Sequence, residues 1–170
     1  SKSGEEIWTQ QLDTIATDQA NGLTVNANGD VYFTGQVDGR FDTTTIDNGG
    51  SDAIIVKLGG SSGTILETAQ FGSAADDYGN EIAIASDGTR IAVQVPLADT
   101  GIIGNSEGRV RIFDWTGTSW SQAGADLIGV GRDDNVGPQL SSAGTIFSSG
   151  QAFGQQSVRV FGLPVAPSAP

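Results

Sequence analysis

Cysteine, histidine and methionine are absent from this 170-residue chain. Without cysteine there is no disulfide and no thiolate zinc site. Without histidine the usual general base at neutral pH is missing, so a serine nucleophile would need lysine or a carboxylate beside it. Lys2 and Lys57 are the only lysines, and neither stands in a Ser-x-x-Lys helix. Positive charge is scarce, with 8 basic residues against 20 acidic ones and a net charge of −12. A phosphate backbone or an anionic bilayer would be repelled, which argues against nucleic acid and membrane surfaces as partners. No apolar run approaches the roughly 18 residues of a membrane-spanning helix. No Asn-x-Ser/Thr acceptor occurs, so N-glycosylation is not expected. No stretch keeps an i, i+3, i+4 apolar spacing, and only Glu5 to Ala20 stays open between strand and short helix. The acidity reads as solubility before it reads as attraction of cations or of a basic partner.

What the chain does have is glycine, 25 of them, placed between short apolar runs. In the middle of the sequence Ile82-Ala83-Ile84 is followed by Ser86-Asp87-Gly88, then by Ile91-Ala92-Val93. A polar loop from Asp99 to Gly108 leads to Val110-Arg111-Ile112-Phe113, and Thr116-Gly117-Thr118 turns into Ser119-Trp120-Ser121. Short runs bounded by turn residues predict a four-stranded meander. The same plan stands before it. Leu23-Thr24-Val25, the Asn28-Gly29-Asp30 turn, Val31-Tyr32-Phe33, Ala53 to Val56, and Thr64-Ile65-Leu66 follow one another in that order. A degraded copy stands after it, with Gln139-Leu140, the Ala143-Gly144 turn, Ile146-Phe147, and Ser157 to Phe161.

The turn glycines Gly29, Gly88 and Gly144 set a period of 59 and then 56 residues. A four-strand unit repeated at that length predicts an all-β, propeller-like array of about three four-stranded antiparallel blades. A β-sandwich with coincidental spacing is the plainer alternative. The repeats fall at about 20–72, 76–128 and 131–163 within a single domain of residues 1–163. Residues 164–170, with three prolines, form a Pro/Ala-rich tail that favours an extended chain, as a linker or a free end. The third copy stops after its third strand. Ile7-Trp8-Thr9-Gln10 resembles Trp120-Ser121-Gln122, so the N-terminal strand at about 5–12 is expected to complete the last blade and close its edge.

The residues Ala20 to Val25, Asn28 to Gly35 and Gly49 to Ala53, continued by Phe71-Gly72 and Asp76 to Asn80, resemble the bacterial β-propeller repeat family often called SBBP. The middle copy is also similar to the FG-GAP type of repeat through Ile91-Ala92-Val93 and Gly108 to Phe113. The resemblance covers Asp18 to Asp114 well and the last third poorly. It implies a fold and a mostly non-catalytic role in surface or extracellular modules. Integrin-type FG-GAP blades hold calcium in a closely spaced acidic loop. Here the corresponding stretch, Ala98 to Glu107, has only Asp99 and Glu107 as carboxylates, a departure from that pattern.

Closed propellers typically have four to eight blades, so three leave two flanks to cover. Several copies of the chain can complete a ring or stack as a fibre, the chain can be a piece of a longer array, or the loops at Gln36–Gly50 and Pro96–Gly108 can fill the space. Assembly is the expectation, because it covers apolar flank surface.

The candidate chemistry is weighed against structural use of the same residues. Asp76-Asp77 and Asp133-Asp134 are paired carboxylates at equivalent places, and their hard oxygens would suit calcium. Neighbours on a strand point to opposite faces, and Asp commonly shapes turns by accepting backbone N–H bonds. Asp42, Asp47 and Asp52, with Asn48, surround a Gly-Gly turn and are ligand-binding candidates, although the spacing is not that of an EF-hand. Trp8, Trp115 and Trp120 are either sugar-stacking or packing residues, with Trp115 the one expected to be exposed. No catalytic residue is assigned, no cofactor is required beyond a place for calcium, and nothing points to a two-carboxylate glycosidase.

The sequence therefore supports a non-catalytic structural or protein-interaction module, secreted or at the cell surface. Its expected partner is itself, as a homo-oligomer or fibre, or another protein subunit. The alternative is a carbohydrate-binding lectin that uses loop Asp/Asn and an exposed Trp115. The first residue, Ser1, is not methionine, so a processed chain is expected, and a cleaved signal peptide fits.

Overall fold

Gly29, Gly88 and Gly144 each reverse the chain between two strands, and all three sit at positive φ, 87°, 76° and 65°. Only glycine takes that left-handed backbone at no steric cost. A computed structural model describes residues 4–12, 14, 16–72, 74, 76–95, 109–128, 137–150 and 158–166, with backbone alone for 146–150. The expected loop at Pro96–Gly108 and the pair Asp133-Asp134 lie outside the described residues.

The chain is all-β. Among the described residues there is no helix, and the described part of Glu5 to Ala20 is not helical. β1 (Asp18–Val25), β2 (Val31–Asp38), β3 (Ser51–Leu58) and β4 (Ile65–Phe71) form one antiparallel sheet in chain order. β5 (Ile82–Ile84), β6 (Arg90–Val95), β7 (Arg109–Trp115) and β8 (Trp120–Gln122) form the second, in which β9 (Leu127–Ile128) also pairs with β7. β10 (Pro138–Leu140), β11 (Ile146–Gly150) and β12 (Val158–Gly162) form the third. These are the expected strands, joined by the expected turns.

The sheets pack face to face in chain order. Tyr32 and Ile55 of the first meet Ile82, Ile91, Val93 and Phe113 of the second. On the second sheet's other face, Ala92, Val110 and Ile112 meet Leu140, Phe161 and Leu163. The continuous run Ala53 to Val56 is buried throughout, because β3 has one face on the second sheet and the other under the N-terminal segment. Ile54, Ile55 and Val56 each contribute about 1.5–3 kcal/mol by burial. The first strands of the sheets lie side by side, β1 against β5 and β5 against β10.

A hydrogen-bond ladder links the three turns. The Ala27 N–H donates to the Ser86 carbonyl at 2.9 Å, and the Ser86 N–H donates to the Ser142 carbonyl at 2.9 Å. Each of these residues stands two positions before its turn glycine, so one contact is used twice between successive copies.

Two expectations are corrected. The N-terminal stretch does not complete the last sheet: residues 5–12 are not in a strand. Trp8 and Leu12 instead pack on Phe33, Val37, Ile54, Val56 and Leu58 of the first sheet. The Trp8 indole N–H donates to the Gly60 carbonyl at 2.8 Å, so a tryptophan finds its partner at a turn without strand pairing. The fourth strand of the second sheet is also broken. β8 pairs with Phe113 to Trp115 and β9 with Arg109 and Val110. Between them Asp126 accepts from Arg109, at 3.0 Å, and from Arg111, at 3.3 Å.

Candidate functional site

The loop between β2 and β3 holds the ligand-binding candidates, and its carboxylates are occupied. Asp42 Oδ1 accepts from the Thr44 amide and hydroxyl, both at 2.6 Å, and from the Thr45 amide at 3.0 Å. Its Oδ2 accepts from the Thr68 hydroxyl at 2.6 Å. Partial burial pushes the Asp42 carboxyl up, but the Thr44 and Thr68 hydroxyls and the two amides together outweigh it and hold the pKa below the ordinary value. Asp47 caps the following turn by accepting from the Gly49 amide at 2.8 Å, the Asx geometry that Asp favours.

Asp52 is fully buried. Its Oδ2 accepts from the Asn48 amide and from Gln70 Nε2, both at 2.8 Å. Its Oδ1 is buried without a hydrogen-bond partner and fills the space a Cβ at Gly72 would need. Gln70 completes the frame, donating to the Gly39 carbonyl at 2.8 Å and accepting from the Phe41 amide at 3.0 Å. The loop is thus fastened from inside by the side chains that could have bound a ligand.

Asp76 and Asp77 diverge, although neither lies in a strand. Asp76 is exposed and Asp77 is buried. Asp76 Oδ1 accepts from the Ser51 amide at 3.0 Å and its Oδ2 from the Tyr78 hydroxyl at 3.0 Å. The Ser51 amide first, and then the Tyr78 hydroxyl, hold the Asp76 pKa below the usual range. The Asp77 N–H donates back to the Ser51 carbonyl at 2.6 Å. Together the pair fastens the start of β3 to the segment leading into the second sheet. Among the described residues no three acidic side chains gather as a metal site would need.

Trp115 is half-buried rather than exposed. It lies opposite Trp120 in the β7–β8 pair, with ring centroids 5.3 Å apart. Trp120 in turn meets Tyr32 of the first sheet edge-on at 6.3 Å. Lys57 lies 5.6 Å from the centre of the Tyr32 ring and pairs with Asp30 at 3.3 Å. These aromatics join the first two sheets, and part of the Trp115 surface is covered by the Trp120 ring, which is tilted 57° to it.

One surface that stays open is apolar, as expected of a flank. A groove of about 370 Å³ runs over the outer face of the first sheet, between Trp8 and Leu12 on one side and Leu23 on the other, floored by Val31 and Phe33. Leu23, Val25 and Ile7 are exposed along this flank. At the opposite end of the array Val158 and Val160 of β12 are exposed. The alternation of Leu23-Thr24-Val25 and of Val158-Arg159-Val160 carries this signal, but only the sheet order shows which side of each strand lacks a neighbour.

Comparison with family models gives no match, and comparison with curated proteins gives none. Among solved structures, the chain is similar to one in a structure described as "Complex of KlAtg21 with coiled-coil of AgAtg16", at 13% identity and a TM-score of 0.57. The match covers 86% of this chain and 40% of that one. This is a likeness of fold alone, in which the present chain spans 40% of the other chain's length.

Proposed function

We propose that the chain is a non-catalytic, propeller-type structural module that acts outside the cell by presenting rigid sheet faces to protein, in the first place to copies of itself. The observation that carries this reading is the pair of apolar flanks, Leu23 and Val25 at one end and Val158 and Val160 at the other. Exposed apolar faces of this kind commonly mark protein contacts. The side-by-side first strands and the repeated turn ladder support a radial array of blades. The non-catalytic part draws support from how the carboxylates are used, since Asp42, Asp47, Asp52 and Asp76 all accept hydrogen bonds that hold loops. The extracellular assignment rests on the repeat resemblance. Sugar binding has less to stand on, because Trp115 is half-buried and partly covered by the tilted Trp120 ring.

Analytical ultracentrifugation from low to high micromolar concentration tests the proposal. Association that strengthens with concentration is expected. It should also strengthen with salt, which screens the repulsion between chains of charge −12. A strict monomer across that range overturns self-assembly, and hits on a glycan array would bring the lectin reading forward.

A further inference from the structure

The two flanks are not merely apolar; beside the part of the first sheet that Trp8 and Leu12 cover, they offer the two sides of a contact that successive sheets already make within the chain. Strand pairing gives the equivalences. Leu58, Phe113 and Phe161 are each the third-strand partner of the residue at which the second strand begins to pair with the first, Leu58 with Val31, Phe113 with Ile91 and Phe161 with Phe147. Three residues before these anchors stand Ile55, Val110 and Val158. Ile55 is 1% exposed under the second sheet and Val110 is 0% exposed under the third, whereas Val158 is 74% exposed. Ile112 and Val160, one residue before their anchors, differ in the same way, at 4% and 66%.

The incoming face shows the complementary difference. Leu23 precedes the turn-closing Val25 as Ile82 precedes Ile84, and both closing residues pair across their turn, with Val31 and Ile91. Ile82 is 6% exposed against the first sheet, but Leu23 is 68% exposed. The turn glycines agree. A Cβ at Gly88 would lie 2.8 Å from the Tyr32 hydroxyl of the preceding sheet, and one at Gly144 would lie 3.1 Å from Ala85 Cβ. One at Gly29 would meet nothing within 4 Å. The first turn therefore presents the shape that fits beneath a preceding sheet, and among the described residues no sheet lies over it.

We propose that copies of this chain join head to tail. The outer face of the third sheet, through Val158 and Val160, seats on the outer face of the first sheet of the next copy, over Leu23, Val25 and the groove beside Trp8. The Ser142 N–H then donates to the Ala27 carbonyl of that copy and continues the ladder that runs from Ala27 through Ser86 to Ser142. The contact is heterologous, so it grows into a ring or a filament and does not stop at a two-fold dimer. This rests on the self-assembly reading above and adds its polarity, its faces and its residues.

Two exposed-site variants, Leu23→Asp and Val160→Asp, test it by complementation, with near-UV circular dichroism showing that each is folded. The wild-type chain should grow beyond a dimer in ultracentrifugation. Each variant alone should lose association by at least about tenfold, because a desolvated charge sits at the centre of the contact. An equimolar mixture should recover a one-to-one heterodimer that grows no further, joining the intact third sheet of Leu23→Asp to the intact first sheet of Val160→Asp. If either folded variant assembles as the wild type does, or the mixture stays monomeric, the head-to-tail contact is wrong while self-assembly stands. If the wild-type chain is itself monomeric, both fall.

Discussion

The Arg90 guanidinium holds the Asp114 carboxylate through two parallel bonds, Nε to Oδ1 at 2.6 Å and Nη2 to Oδ2 at 2.9 Å. Arg90 is almost wholly buried, and its remaining nitrogen, Nη1, reaches the Gly144 carbonyl at 2.7 Å and the Pro164 carbonyl at 2.6 Å. One side chain thereby joins two strands of the second sheet to the turn of the third and to the segment beyond β12.

Removing either member of that pair leaves a charge inside without its partner, and breaking a buried ion pair typically costs about 3–5 kcal/mol. Arg90→Ala and Asp114→Ala should each show a loss of that order in urea denaturation. A double-mutant cycle should return a large coupling energy, since the residues share one network.

Asp42 makes stability depend on acid. Its folded pKa is depressed, so its contribution is present above the unfolded value of about 3.9 and is lost as pH falls through the folded value. Asp42→Asn should flatten the loss of stability below about pH 4. Asp42→Ala should cost about 1–3 kcal/mol at neutral pH by releasing the Thr44, Thr45 and Thr68 donors. Melting curves across pH check both.

Glu67 works in the opposite sense. Partial burial raises its pKa, against the pull of Lys57 across the strand pair. The folded chain therefore holds this proton more tightly than the unfolded one, and stability is lost as pH rises from the unfolded value, about 4.3, through the folded value. Glu67→Gln should remove that slope, as read by urea titrations at a series of pH values.

Alanine at the turn glycines separates backbone strain from crowding. Gly29 and Gly88 share positive φ, but only Gly88 has a neighbour where a Cβ would go. Gly29→Ala should cost the left-handed penalty of about 1–2 kcal/mol. Gly88→Ala should cost distinctly more, since the Tyr32 hydroxyl must also move. Paired thermal melts give the difference.

The strands were legible because each is a short apolar run ended by a residue that turns the chain. Ile82 to Ile84 and Gly88 need no distant partner to be recognised. The links between sheets were not legible. Arg90 and Asp114 are 24 positions apart, and nothing local marks a scattered arginine as buried. The break at Asp126 was hidden because a charged residue near a glycine reads as ordinary loop. Trp8 misled by its neighbours: Trp-Thr-Gln mimics Trp-Ser-Gln, yet burial on the Gly60–Gly63 turn requires no strand. At the candidate site, Asp42 and Asp47 accept backbone N–H bonds within their own turns, whereas Asp76, expected to shape a turn, accepts from the Ser51 amide 25 positions away. Exposure of Trp115 was misjudged because its cover, Trp120, comes from the next strand across the turn.

The ladder of turns has a consequence for how such a chain can change in size. Because successive units meet through the same amide and the same carbonyl, the ladder itself would survive the gain or loss of one whole unit. Gene duplication would then alter length in complete steps, each new module inheriting a ready-made neighbour on both sides.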